Sequence, residues 1–389
     1  MRLKFLYIAT SDIHLATFHK PYLKWLSKQN IQVDIAVEKR GGETFDGVSH
    51  CFYLKFPRSI SPLALLSTYK KLKCIINSSS YDIIHCHTPI PSFLARLAAR
   101  TARKKGTIVL YTAHGFHFYN GAPIKKWLIY FTTEYILSSF TDAIITMNTE
   151  DYRISRKLFH KNTHIIPGMG VDPNRYKAIP ELDKLALRQK YGIDPQKIIV
   201  IYIAEFIQRK NHKLIIDSIK ASIEKFPKLE ILFAGKGELK SPLEEFCKQQ
   251  GLSIFKFLGF RKDISELIQI SDIGISSSIH EGLPIGILQE MFSSLPIIAS
   301  VERGHKELIE HERNGYLFPL DRPEEFILYL NKLYRNSSLR ETMGRESFKK
   351  AQNYSIDNSL NSMIKIYNQY LSNHRIPLQN SIMHEAKNI

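Results

Sequence analysis

The feature that most constrains this chain is an alternation, run through twice, of short continuously apolar stretches with longer segments of helical spacing. Strands are expected at residues 2–10, Val33–Val37, Asp82–His87, Thr107–Thr112 and Asp142–Thr146, and again at Lys197–Ala204, Leu229–Ala234, Phe255–Leu258, Ile273–Ser276 and Ile297–Ser300. Helices are expected between them, at about Pro21–Gln29, Pro62–Ile76, Pro91–Lys105, Pro123–Phe140, Lys213–Phe226, Ser241–Gln250, Ile264–Ile270 and Pro284–Ser293. Strands without polar alternation are buried on both faces, which calls for parallel sheets covered by helices. Two such alternations imply an α/β chain with two doubly wound sheets. At 389 residues the chain also exceeds what one core usually supports. The turn-rich stretch Ile165–Tyr176 marks the boundary. Three further helices follow, at about Pro323–Tyr334, Ser338–Asn353 and Ile356–Leu371, and then a polar tail, 373–389.

In open parallel sheets ligands gather at the carboxyl ends of the strands, so the residues there are the ones to read for chemistry. The strand at Ile273 runs into Ser276-Ser277-Ser278-Ile279-His280-Glu281-Gly282-Leu283-Pro284 and then a helix. The free N–H groups and positive dipole of that helix start suit a diphosphate at Leu283 and Pro284, with Glu281 reaching a sugar hydroxyl. Arg209-Lys210 follows the strand at Lys197, Gly235-Lys236-Gly237 the next, and Gly259-Phe260-Arg261 the one after. In the first half His87 and Thr88 end one strand and His114-Gly115 follows another. His14 and His19 lie beyond the first strand, either as acceptor contacts or as exposed imidazoles of a capped loop. That connection lacks a glycine-rich phosphate fingerprint.

The wording around Glu281 resembles the donor-site signature of glycosyltransferase family 4, retaining enzymes of the GT-B fold. Thr112–Tyr119 followed by Gly121-Ala122-Pro123 is similar to its capsule and exopolysaccharide subgroup. The resemblance implies two Rossmann-like domains facing an interdomain cleft. The first, 1–170, would bind the acceptor, with a last helix at about 356–372 packing back on it; the second, 171–355, would bind the nucleotide sugar. It implies Glu281 and His114 at the reaction centre, Lys210 on the donor phosphates, and Gly235, Gly237, Phe260 and Arg261 around the base; Arg209 is the candidate second cation on the phosphates. His14, His19 and His87 would lie on the acceptor side. Two departures stand out. Gln289 occupies the place of the second, ribose-binding glutamate, with Glu290 one residue out of register, about 100° round a helix. Glu205 stands where the family usually has arginine, and should point away from a diphosphate.

Charge narrows the partners. The net +17 divides into +13 over residues 1–170 and +4 over the rest. A basic first half implies an anionic partner, and without a nucleic-acid module an acidic membrane surface or lipid diphosphate is favoured. The clusters Lys70-Lys71-Lys73 and Arg96, Arg100, Arg103-Lys104-Lys105 are candidate headgroup contacts. The expected location is cytoplasmic and peripheral to the inner face of the membrane, since no signal peptide or spanning run is evident. Cys51, Cys74, Cys86 and Cys247 show no metal or disulfide spacing. The chain has no Asp-x-Asp, so no metal or other cofactor is expected and cations would meet the leaving-group charge. The function expected is retaining transfer of a hexose or N-acetylhexosamine from a UDP-sugar to a lipid-linked or polysaccharide acceptor. The alternatives are a sugar-nucleotide epimerase of the same fold and a binding or scaffold protein that has lost turnover.

Overall fold

The computed structural model describes residues 2–57, 62–160 and 162–371; the polar tail 373–389 lies outside them. The chain forms two compact units, one from the residues up to Gly170 together with those from Ile356, the other from Val171–Ser355.

The first unit is built on seven parallel strands: β1 (Lys4–Ser11), β2 (Gln32–Glu38), β3 (Val48–Tyr53), β4 (Ile83–His87), β5 (Ile108–Thr112), β6 (Ala143–Thr146) and β7 (Thr163–Ile165). Their spatial order is β3-β2-β1-β4-β5-β6-β7, so the chain reverses direction of growth between β1 and β4. Phe5 to Ala9 of β1 are fully buried, and their alternation feeds both faces. Leu6 and Ile8 join Ile84, Val109 and Ile144 on one. On the other, Phe5 meets Tyr367 edge-on with centroids 5.4 Å apart, and the Tyr7 and Tyr367 hydroxyls are 3.0 Å apart. The helix Ile356–Leu371 is therefore part of the first unit's core.

The second unit holds six parallel strands: β8 (Ile198–Ile203), β9 (Leu229–Ala234), β10 (Phe255–Gly259), β11 (Ile273–Ser276), β12 (Ile297–Ser300) and β13 (Gly315–Phe318). Their order is β10-β9-β8-β11-β12-β13, with the reversal between β8 and β11. Val200, Tyr202, Ile231 and Phe233 pack on one face, and Ile199, Ile201, Leu232 and Ile297 on the other. This two-faced burial is why these strands read as unbroken apolar runs.

Several elements differ from expectation. β3, β7 and β13 were not expected; β3 is largely exposed and β7 has three residues, so neither carries a strong apolar signal. Asp12–Phe18 is a helix rather than a loop, because the Ser11 hydroxyl caps it by accepting the His14 N–H at 3.2 Å. The segment expected at Pro91–Lys105 is two helices, Pro89–Ala98 and Arg100–Arg103. Arg96 is corrected from a headgroup contact to a core residue. It is 0% exposed, its Nη1 lies 2.7 Å from Glu134, and its guanidinium stacks 4.1 Å above Tyr111. Arg103 is likewise paired, to Asp142 at 2.8 Å.

The helical stretch Ile124–Ser138 contains a π-type turn at Trp127–Phe131. It leaves Ile124, Leu128, Ile129, Tyr135 and Ile136 more than half exposed beside the exposed Lys125. Among the described residues no helix is long and apolar enough to cross a membrane.

Candidate active site

In the second unit the two loops that leave β8 and β11 come together at the point where strand order reverses, the usual ligand crevice of such a sheet. After β8, Asn211 adopts left-handed backbone angles (φ 52°), turning the chain from the short helix Gln208–Lys210 into the helix His212–Lys220. After β11, the serines tie this turn down. Ser277 Oγ donates to the carbonyls of Lys210 (3.1 Å) and Asn211 (2.8 Å), the Tyr202 hydroxyl donates to the Lys210 carbonyl (2.6 Å), and the Ile279 N–H donates to the Arg209 carbonyl (2.8 Å). Two loops some 70 residues apart are thereby one rigid piece.

The carboxylate at its centre is Glu281, only 8% exposed. Lys210 Nζ pairs with its Oε1, and Arg209 Nη1 lies 3.1 Å from its Oε2. Burial alone would raise this carboxyl, but the Lys210 and Arg209 charges outweigh burial and hold it at about 2. Its backbone is fixed from the third loop, after β12, where Glu302 accepts the Glu281 N–H (2.8 Å) and Arg303 Nε donates to the Glu281 carbonyl (3.0 Å). Gly304 lies so close that a Cβ there would stand 2.9 Å from that of Glu281. Glu302, Arg303 and Gly304 were not expected at the site; their one signal is that they directly follow the apolar strand β12.

The helix Ile285–Phe292 begins here with Pro284 as its N-cap residue, one position earlier than the first-turn place expected. Pro284 has no N–H, so the free donors belong to Ile285 and the residues after it. Gln289 is half-buried. Glu290 turns inward instead, 1% exposed and with Oε2 unpartnered. Its carboxyl faces β11, where a Cβ on Gly274 would be 2.3 Å from Oε2, and burial raises its pKa well above the usual value. The two neighbours are on different sides of the helix, as 100° per residue requires.

The residues assigned to the base divide. Gly235 and Gly237 are required by backbone approach: a Cβ would stand 1.9 Å from the Ala204 carbonyl at the first and 2.4 Å from that of Phe206 at the second. Phe260, just past the end of β10, is 67% exposed, with the Lys236 ammonium 5.5 Å from its ring centroid. Arg261, half-buried, is bound to Asp263 through two hydrogen bonds. Glu205 is exposed.

In the first unit the histidines converge at the reversal between β1 and β4. His14 comes from the helix Asp12–Phe18, His19 from the joint after it, His87 from β4 and His114 from the loop after β5. Ring centroids are 5.1 Å apart for His14 and His114, 5.3 Å for His14 and His19, and 4.2 Å for His19 and His87. His19 and His87 are fully buried, whereas His14 and His114 keep partial exposure. Any contact of His19 or His87 with a substrate is therefore made through the outer pair. Burial lowers all four imidazoles, that of His14 to about 4. His85 is spent on structure, with Nδ1 2.8 Å from the Tyr367 hydroxyl and Nε2 2.7 Å from Thr112. At the end of β4 Thr88 has φ 65°, a costly conformation for a β-branched residue, and its hydroxyl lies 2.7 Å from that of Thr10.

Comparison with known proteins bears on this arrangement. Residues 4–148 match the family model described as glycosyl transferase 4-like, and residues 183–350 the model described as glycosyl transferases group 1. Over 374 residues the chain is 38% identical to a putative glycosyltransferase, EpsD, of Bacillus subtilis (strain 168), covering 95% of this chain and 98% of that one. It is 29% identical over 295 residues, 72% of this chain and 74% of the relative, to the UDP-Gal:alpha-D-GlcNAc-diphosphoundecaprenol alpha-1,3-galactosyltransferase of Escherichia coli. Among solved structures, HepE of Anabaena in complex with UDP-glucose matches with a TM-score of 0.77 at 20% identity, covering 95% of this chain and 100% of that chain.

Proposed function

Since the chain belongs to the family 4 glycosyltransferases of the GT-B fold, we propose that it moves a hexose or N-acetylhexosamine from a UDP-sugar, with retention of configuration, to a lipid-linked or polysaccharide acceptor of cell-surface polysaccharide synthesis. The observation that carries this reading is the Glu281 carboxylate held between Lys210 and Arg209 where β8 and β11 diverge. The UDP-glucose complex of HepE and the diphosphoundecaprenol acceptor named for the Escherichia coli relative support the choice of donor and acceptor.

In this reading the donor diphosphate displaces Glu281 from Lys210 and Arg209. The cations pass from a carboxylate to a diphosphate, and the freed carboxylate orients the sugar hydroxyls. The leaving UDP is stabilised by groups already in place, including the first-turn N–H groups after Leu283 and Pro284. Gln289 accepts from the ribose, and Phe260 stacks on the base. The second unit is thus the donor domain. His114, with His14 beside it, serves the acceptor in the first unit, where burial keeps the imidazole neutral and its lone pair can accept a hydrogen bond from an acceptor hydroxyl.

The exposed apolar residues of Ile124–Ser138 and the +13 charge of residues 1–170 support docking on an anionic bilayer, where a polyprenyl acceptor resides. Transfer needs no metal. Titration calorimetry with UDP-sugars tests the donor site: binding in EDTA that is lost in Lys210→Met supports it, and equal binding by wild type and variant refutes it.

A further inference from the structure

The histidines of the first unit raise a question that sugar transfer does not answer. One ring nitrogen from each of His14, His19 and His114 lies within 4.8 Å of the other two. His14 Nε2, both nitrogens of His19 and His114 Nε2 are buried without a hydrogen-bond partner, as are both nitrogens of His87 behind them. Native interiors seldom leave even one buried polar atom unmatched. Several at one point, all with imidazole lone pairs, are the complement of a metal ion.

We propose that His14, His19 and His114 form a binding site for one divalent ion of the zinc type. Three imidazoles supply three of the four corners of a tetrahedron and leave one position open. The donor set is neutral and all nitrogen. Asp12, the nearby acid, is already spent: its carboxylate accepts the N–H groups of Arg40, Gly41, Gly42 and Glu43. Such a set selects borderline ions such as Zn²⁺, Co²⁺ and Ni²⁺ and offers nothing to Mg²⁺ or Ca²⁺, which take oxygen ligands.

The ligands are also held in place. Ser11 caps the helix that carries His14, the His19 N–H donates to the Leu15 carbonyl at 2.8 Å, and His114 follows a strand buried at the centre of the sheet. Their positions, 14, 19 and 114, follow no metal-motif spacing, so the sequence alone gives no sign of the site. If His114 serves the acceptor as proposed above, an ion that takes its lone pair blocks that service, and the site inhibits transfer.

The test is direct binding to the tag-free, chelator-treated chain with no sugar present, so its outcome is independent of whether the transfer reading holds. Calorimetry with Zn²⁺ should give one equivalent per chain, and Co²⁺ should develop the visible absorption of a tetrahedral complex. Mg²⁺ and Ca²⁺ should give no heat. His14→Gln and His114→Gln should each weaken Zn²⁺ binding by at least about 100-fold, the upper end of what even outer-shell changes cost, while His50→Gln on the exposed strand β3 leaves it unchanged. X-ray absorption on the wild-type zinc complex, which needs no variant to fold, should show three imidazole nitrogens at about 2.0–2.1 Å. Absence of a stoichiometric site, a first shell without imidazole, or binding that survives His14→Gln and His114→Gln together would overturn the assignment.

Discussion

Replacing Glu290 by Met should stabilise the second unit, and by an amount that depends on pH. Glu290 is 1% exposed with Oε2 unpartnered, and burial raises its carboxyl well above the usual range. With the folded pKa above the unfolded one, the folded state binds the extra proton between the two values. The resulting stability is complete below the unfolded pKa of about 4.3 and is lost as pH rises, by about 1.4 kcal/mol per pH unit, until the folded pKa is passed. Met keeps the volume, removes the proton linkage and removes a buried polar atom whose lack of a partner costs about 1–3 kcal/mol. At pH 8 the variant should exceed wild type by at least that amount, or roughly 2–12 °C in melting temperature for a unit of this size, and the gap should narrow toward pH 5. The assay separates the units, because Trp25 and Trp127 both lie in the first. Circular dichroism reports both units and tryptophan fluorescence only the first, so an ellipticity change without a fluorescence change belongs to the second. A variant no more stable than wild type at pH 8, or a gap that does not vary with pH, would refute the reasoning.

Other perturbations follow from the same contacts. Lys210→Met should lower kcat by about 10²–10³-fold, as loss of one preorganised cation does elsewhere, in a UDP-release assay; a change below tenfold would remove Lys210 from the phosphates. Gln289→Glu should tighten UDP-sugar binding about fivefold, since a charged acceptor adds roughly 1 kcal/mol to a hydrogen bond; calorimetry that finds no change would place the ribose elsewhere. Arg96→Ala leaves Glu134 buried without its cation and should cost the first unit about 3–5 kcal/mol in urea unfolding followed by tryptophan fluorescence; a loss under 1 kcal/mol would contradict the buried pair.

The strands most legible in the sequence were those buried on both faces. β9, β11 and β12 begin and end at the expected residues because their apolar runs have no exposed side to interrupt them. β3 escaped notice because Ser49, His50 and Cys51 on it are exposed. Charge was the least reliable guide. Arg96 looks like a surface cation until Glu134 is seen beside it, and that partner comes from packing rather than from a motif. The meeting of Lys210 with Glu281 required strand order, since β8 and β11 are neighbours in the sheet but 70 residues apart in the chain. The convergence of His14, His19, His87 and His114 depends in the same way on β1, β4 and β5 lying side by side.

The central claim is that this chain transfers a sugar from a UDP donor, and an NMR time course tests it most directly. Purified protein is followed with UDP-hexose or UDP-N-acetylhexosamine in EDTA, with and without anionic vesicles carrying a polyprenyl-diphosphate sugar. The account predicts UDP release that depends on the acceptor vesicles and a product that keeps the anomeric configuration of the donor. Isomerisation of the donor with no acceptor present, or donor signals unchanged across the sugars and acceptors tried, would contradict it.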